Sequence, residues 1–350
     1  MAANAPHARP GATFARAPKA SRRFRLRALL VRGTLCAAAF PHPAAPLMQM
    51  RATSPLLERE IDCRLVRSIP TRRVLDAYRR DFGYDASAEF AGVDSIHLLE
   101  CPESGLRFFV PPSVVGREGL YRQLQTFDWN YKEAKWEHDD ALRQVQAGQR
   151  VLDVGCGKAA FLHRCRTERG AVPTGLEFND AAAQAGRARG VEVVTETIES
   201  HAAGRPGHYD VVTSFQVLEH VTKPAAFVRA CIQALKPGGS LLLGVPNHDS
   251  FLGQAEDNWL DMPPHHMSLW SRACLEGLGA RFGVRHVATW LEPLQELDWY
   301  QAVQERAHLR GWLQRRLYHR LGFDRFFRRY LAAAAPTIAG HTVLARFDKA

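Results

Sequence analysis

No C-x-x-C pair occurs among the seven cysteines, Cys36, Cys63, Cys101, Cys156, Cys165, Cys231 and Cys274. An odd number without that spacing excludes a zinc knuckle and a fully paired disulfide framework, and it fits reduced thiols in a cytosol. Long apolar runs are missing too, so no stretch is suited to spanning a bilayer. No internal repeat is present. Acidic residues are absent until Glu58, and this decides how the net charge of +10 is read. Residues 1–57 hold nine Lys and Arg, which leaves +1 on the rest of the chain. The global basic field that steers nucleic acid is therefore missing from the bulk of the protein, and no nucleic-acid partner is expected. What is there is ordinary globular material: 350 residues, 46% hydrophobic and 23% charged, enough for one large domain or two small ones.

The acid-free start has the outline of a targeting segment, with Arg22, Arg23 and Arg25 ahead of a short apolar stretch. Arg27 and Arg32 interrupt that stretch, and Pro41, Pro43 and Pro46 break any helix after it. An organellar transit peptide shares this composition. The reading adopted is a disordered basic tail over residues 1–57, or an over-long start whose first residue is Met48 or Met50, with residues 1–47 dispensable for folding.

Residues 58–127 read as a small appended module. Ile61–Val66, Ile96–Glu100 and Arg107–Val110 are strand-like, Arg72–Asp81 is helical, and Pro111-Pro112 closes the segment. An aromatic stretch with Trp129, Tyr131 and Trp136 follows, read as a lid packed on the core. From Arg150 onward, strand and helix signals alternate at short intervals, the pattern of a doubly wound, mostly parallel α/β sheet. Strands are expected at Val151–Val154, Val172–Phe178, Val191–Val194, Tyr209–Phe215, Ser240–Val245, His286–Leu291 and Thr342–Phe347. Helices are expected at Lys158–Arg169, Ala181–Arg189 and Pro224–Leu235, and from an N-cap at Ser271 to Phe282.

Between the first strand and helix of that series lies Asp153-Val-Gly155-Cys156-Gly157-Lys-Ala159-Ala160. Glycines there allow a tight turn and a close approach of a ligand to helix N-terminal amides. Alone, the motif fits a dinucleotide as well as any other adenosine-bearing cofactor. Asp153 at the strand end is placed to hold a cationic amine. Glu177, 20 residues after Gly157, is placed to accept both hydroxyls of a ribose.

Taken with Tyr209-Asp-Val-Val-Thr-Ser-Phe-Gln216-Val-Leu-Glu219-His220 and Leu235-Lys-Pro-Gly-Gly239, these motifs resemble the class I S-adenosylmethionine-dependent methyltransferases. The branch is the one that includes ubiquinone-type O-methyltransferases and surface-sugar methyltransferases, and the likeness covers residues 128–292. It implies a seven-stranded Rossmann-like domain over 128–350, with S-adenosyl-L-methionine bound by Asp153, Gly155, Cys156, Gly157, Glu177, Phe178, Thr197, Ile198, Phe215 and Gln216. Two departures stand out: Ala159 replaces a common glycine, and Thr197-Ile198 stands where the family often has an Asp. Relatives can carry an N-terminal zinc module with paired cysteines. Here Cys63 and Cys101 are single, so no metal is expected.

Methyl transfer from a sulfonium is an in-line displacement that asks chiefly for alignment, with a base where the acceptor carries a proton. His265 and His266, after Pro263-Pro264, and His220 are the candidate bases; capping and packing are the structural alternatives. Residues 301–333 read as a basic amphipathic helix inserted before the last strand, with Leu309, Leu313, Leu317 and Leu321 spaced by four. It suits peripheral membrane contact near 301–330, a phosphorylated substrate, or simple packing. The expected function is O-methylation of a small-molecule or lipid- or nucleotide-linked acceptor in the cytoplasm, free or at a membrane surface. Sugar C-methylation, an NAD-dependent oxidoreductase and an inactive methyltransferase-like binding protein are the alternatives.

Overall fold

The computed structural model describes residues 48–127, 133–309 and 311–350. Cys36, Trp129 and Tyr131 lie outside them. Residues 48–350 form one compact unit built on two sheets. Among the described residues, twelve strands occur in chain order: β1 (Gln49–Ser54), β2 (Arg59–Pro70), β3 (Ser95–Glu100), β4 (Arg107–Val110), β5 (Arg150–Val154), β6 (Val172–Leu176), β7 (Glu192–Val194), β8 (Tyr209–Phe215), β9 (Leu235–Pro246), β10 (Ser268–Leu269), β11 (Arg285–Pro293) and β12 (Ala339–Asp348).

The larger sheet has the order β11-β12-β9-β8-β5-β6-β7. Its five central and right-hand strands are parallel, and β12 runs antiparallel to both β9 and β11. This is the expected seven-stranded, mostly parallel sheet. The apolar runs of β8 and β9 are continuous because helices cover both faces of a parallel sheet. Val211, Val212, Leu241, Leu242, Leu243 and Val245 are all buried, each contributing about 1.5–3 kcal/mol of apolar transfer at most. Helix limits follow local chemistry. Pro224 occupies the first turn of Pro224–Ala234, where its missing N–H costs nothing. Asn179, Thr197 and Ser271 cap their helices by accepting main-chain N–H groups. The single helix expected from Ser271 is two short ones, Arg272–Glu276 and Leu278–Phe282, which meet at Gly277.

The smaller, antiparallel sheet has the order β1-β2-β3-β4-β10 and departs from the sequence reading twice. First, β1 lies inside the stretch 1–57 that was read as tail. It pairs with β2 from Gln49↔Arg64 to Ser54↔Arg59. Its short apolar residues Met50 and Ala52 pack on Cys63, Leu99, Cys101 and Phe108, too weak an alternation to register beside an acid-free, Pro-rich neighbour. Second, the module over 58–127 is not closed by its own residues. The strand after β4 is Ser268–Leu269, paired Ser268↔Phe108 and Leu269↔Arg107. Met262, Met267 and Leu269 complete the core around Tyr78, Ile96 and Phe109.

The insertion before β12 is also different. The four-residue leucine spacing reads as one helix, but three form: Leu297–His308, Trp312–Arg320 and Phe323–Ala334. Gly322, at φ 71°, turns the chain between the last two.

A chain beginning at Glu58 should be less stable by about 2–5 kcal/mol than one beginning at Met48, because it loses β1 and the buried Leu56. Denaturant unfolding of the two compares them directly. Equal midpoints would show that β1 contributes nothing to the fold.

Candidate active site

The chain leaves β5 toward β6 on one side, while β8 and β9 lie on the other. Open α/β sheets form their ligand crevice at such a switch point, beyond the carboxyl ends of the strands. A cavity of about 590 Å³ lies there. Its first wall is the loop after β5, with Asp153, Gly155, Cys156 and Gly157, together with Glu177 beyond β6. Phe215 and Gln216 at the end of β8 also line it, as do Glu219, His220, His265 and His266.

The glycine loop is shaped by sterics. Gly155 has φ +79°, and a Cβ there would come within 2.5 Å of the Val217 side chain, so only glycine satisfies both angle and space. The N–H groups of Gly155 and Cys156 donate to the Leu176 carbonyl at 2.8 and 3.0 Å, tying the loop to the end of β6. Gly157 N–H donates to Glu177 Oε2 and Asn179 N–H to Oε1, both at 2.8 Å. That carboxylate is thus fixed by two main-chain donors, and lone pairs remain for a ligand. Ala159 adopts φ +55°, a left-handed conformation costing about 1–2 kcal/mol in any residue but glycine.

Asp153 is buried at the end of β5, where Thr213 Oγ1 donates to its Oδ1 at 2.8 Å. Burial outweighs that bond and pushes its pKa up to about 7.

Three imidazoles of the lining cluster with ring centroids 4.5–4.7 Å apart. His220 Nδ1 donates to the His265 carbonyl at 2.8 Å, and His265 Nδ1 to the Leu260 carbonyl at 3.0 Å. Since a carbonyl only accepts, these bonds place each proton on Nδ1 and leave Nε2 with its lone pair. Burial pushes His220 down to about 4, and His265 and His266 well below the usual range. As general bases near neutral pH these groups are weak, which runs against the sequence expectation. Glu219, 2% exposed in its side chain, has no hydrogen-bond partner on either oxygen, and burial pushes it up to about 8.

Seven of the ten expected cofactor residues come together at this cavity, along with all three candidate histidines. Phe178, Thr197 and Ile198 do not line it. The Phe178 side chain is 65% exposed, Thr197 spends its hydroxyl on the Ser200 N–H, and Ile198 is buried in the core. Trp136 lines the cavity and packs against the core.

Residues that sequence reasoning missed come mainly from the antiparallel side. Glu292 of β11 and Thr342 of β12 line the cavity, and Thr342 N–H donates to Glu292 Oε2 at 2.9 Å. Burial pushes Glu292 up to about 7. Asp261, Glu137 and His341 also reach it. An acid at the end of an apolar strand was the available signal for Glu292; its distance from the glycine loop in sequence hid the connection. Among the described residues, eight carboxyl groups and two lysines line the cavity. Such a lining favours a cationic ligand and opposes a polyanionic one.

Replacing Asp153 with Asn keeps an acceptor for Thr213 and removes the charge. The native pKa of about 7 lies above the ordinary 3.8, so the native state binds more protons than the unfolded chain between those values. The stability due to this group therefore falls as pH rises across that window. The ligand-free Asp153→Asn variant should be more stable than wild type by a margin that grows from about pH 4 to about pH 7 and is then level. Thermal melts at a series of pH values measure the margin, and a constant difference would show the carboxylate to be solvated.

Comparison with known proteins gives this geometry a setting. Residues 124–289 match a family model described as a methyltransferase domain. Two ubiquinone biosynthesis O-methyltransferases, from Yersinia pestis (strain Pestoides F) and Yersinia pseudotuberculosis serotype O:1b, are 42% identical over 108 residues, 29% of this chain. The chain spans 44% of the length of those relatives. Among solved structures, a SAM-dependent methyltransferase from Archaeoglobus fulgidus aligns with a TM-score of 0.44 at 17% identity, covering 60% of this chain and 90% of its own. The central part of this chain is a class I S-adenosylmethionine-dependent methyltransferase domain.

Proposed function

We propose that the protein transfers the methyl group of S-adenosylmethionine to a hydroxyl of a small-molecule or lipid- or nucleotide-linked acceptor. The acid-lined cavity carries this reading. The methyl donor bears an ammonium and a sulfonium against one carboxylate, a net cation, whereas the pyrophosphate of NAD would bring two negative charges to a lining whose acids outnumber its lysines even with Asp153, Glu219 and Glu292 held toward the protonated form. That disfavours the oxidoreductase alternative. Asp153 would hold the ammonium group and gain the charge partner that burial denies it, while Glu177, already oriented by Gly157 and Asn179, would accept the ribose hydroxyls. The donor supplies an electrophilic methyl carbon. The chain's own task is to align the acceptor with it and keep water away.

For the acceptor, the lone-pair faces of His220 and His265 point to a hydroxyl. A neutral imidazole accepts a hydrogen bond from an O–H and so orients the oxygen lone pair. The name of the Yersinia relatives, which are O-methyltransferases, supports O- over C-methylation.

Calorimetry with S-adenosylmethionine, its demethylated product and NAD tests the donor. Binding of the first two is expected, with a loss of about 1.5–3 kcal/mol in Glu177→Ala. Binding of NAD alone would overturn the reading. Incubation of small-molecule extracts with isotopically labelled donor, followed by product identification, finds the acceptor.

The partner surface we infer is an anionic membrane. Trp312 is 72% exposed and Phe326 57%, on two short helices that also expose Arg315, Arg316, Arg320, Arg325 and Arg329, and Leu321 in the turn between them is 66% exposed. Apolar side chains ringed by arginines match a lipid interface with negative headgroups, each cation adding about 1 kcal/mol. Among the described residues, no helix is long and apolar enough to cross a membrane. Cosedimentation should show binding to phosphatidylglycerol vesicles, weakened by salt and by Trp312→Ser with Phe326→Ser, and little binding to phosphatidylcholine. Equal binding to both lipids, or none to either, would count against it.

A further inference from the structure

We propose that His220, His265 and His266 form a binding site for a divalent transition-metal ion of the zinc class at the acceptor end of the cavity, with Glu219 beside it as the anionic partner. One ligand atom from each of the three imidazoles lies within 4.8 Å of the others. Zinc–nitrogen bonds of about 2.0–2.1 Å in tetrahedral geometry set their nitrogens roughly 3.3 Å apart. Closing on an ion therefore takes side-chain shifts of about 1 Å.

The protons are already arranged for a metal. A metal-bound histidine usually donates its second N–H to a carbonyl or carboxylate, which fixes the ring and the tautomer. His220 does this to the His265 carbonyl and His265 to the Leu260 carbonyl. His266 Nδ1 lies 3.2 Å from Asp261 Oδ1, close to a carboxylate though not yet aligned as a hydrogen bond. On His220 and His265 this leaves Nε2 as the ligand atom.

Glu219 is the independent observation. It is buried and neither carboxylate oxygen has a hydrogen-bond partner. Oε1 lies 3.7 Å from His220 Nε2 and 4.0 Å from His266 Nε2. An isolated carboxyl group in such a place is costly, and a cation between it and the imidazoles supplies the missing partner. The backbone holds the two ligand-bearing segments together: the N–H groups of Met267 and Ser268 both donate to the Glu219 carbonyl, at 2.8 and 3.1 Å. A donor set of three imidazole nitrogens and one carboxylate suits zinc, cobalt, nickel or iron, and not magnesium or calcium, which take oxygen ligands.

Metal binding stands without any assumption about the reaction. Its use rests on the methyl-transfer reading: an ion here would occupy the lone pairs of His220 and His265 and, in their place, would take an acceptor oxygen as a further ligand and orient it toward the methyl group.

The test uses the full chain after treatment with a chelator, titrated with Co2+ followed by absorption spectroscopy and with Zn2+ by calorimetry. One equivalent of Co2+ should bind, with visible d–d bands and without a thiolate charge-transfer band. His265→Ala and His266→Ala should each weaken binding by about 100-fold or more, and Asp261→Asn, behind His266, by about 10–100-fold. No stoichiometric Co2+ binding by the wild-type chain overturns the proposal, even if a variant fails to fold; so does unchanged affinity in both folded histidine variants. Calorimetry of the demethylated cofactor product with the metal-free chain separates this failure from failure of the methyl-transfer reading.

Discussion

Withdrawal of ionisable groups from water at the carboxyl edge of the large sheet is the constraint on which the site depends. Asp153, Glu219 and Glu292 are each pushed toward the protonated form by burial. His220, His265 and His266 are held neutral by the same cause. Carboxyl groups kept from ionising and imidazoles kept from protonating leave a cavity that is short of positive charge. A cationic ligand would reverse the cost at Asp153, and a metal ion would do the same at Glu219. The price of assembling the site falls on the ligand-free protein.

That burial requires two sheets rather than one. The segment carrying His265 and His266 runs on directly into β10, which adds a strand to the smaller sheet beside β4. The same segment is bonded to the Glu219 carbonyl through Met267 and Ser268. The small sheet is therefore less an appended module than a clamp, closing the acceptor wall over groups that the parallel sheet alone would leave in water. Trp270, fully buried just after β10 and donating to Ser268 Oγ, anchors the turn between the two layers.

Burial also revises the chemistry that residue type alone suggests. A histidine in a sequence invites the role of base, because its ordinary pKa lies near neutrality. Placed among other imidazoles and apolar walls, the same residue becomes a neutral lone-pair donor, suited to accepting a hydrogen bond or binding a metal. The arginine-rich insertion shows the converse. Its spacing fits a packed amphipathic helix, yet Trp312 and Phe326 face outward on two short helices, as does Leu321 in the turn between them.

Local sequence carried everything that depends on neighbouring residues. Strand periods, the cap at Ser271, the Gly155–Gly157 loop and the acid at Glu177 were all legible, since each follows from backbone sterics and hydrogen bonding within a few positions. With them came the alternation that specifies a doubly wound sheet. Tertiary structure alone decided the rest. It folded β11 and β12 back to bring Glu292 and Thr342 to the cavity, recruited β1 and β10 into the smaller sheet, and left Phe178, Thr197 and Ile198 outside the cavity lining. It also set the protonation of the histidines. These outcomes rest on which surfaces lose water to which distant partners, and desolvation is a property of the packed molecule that no window of sequence contains.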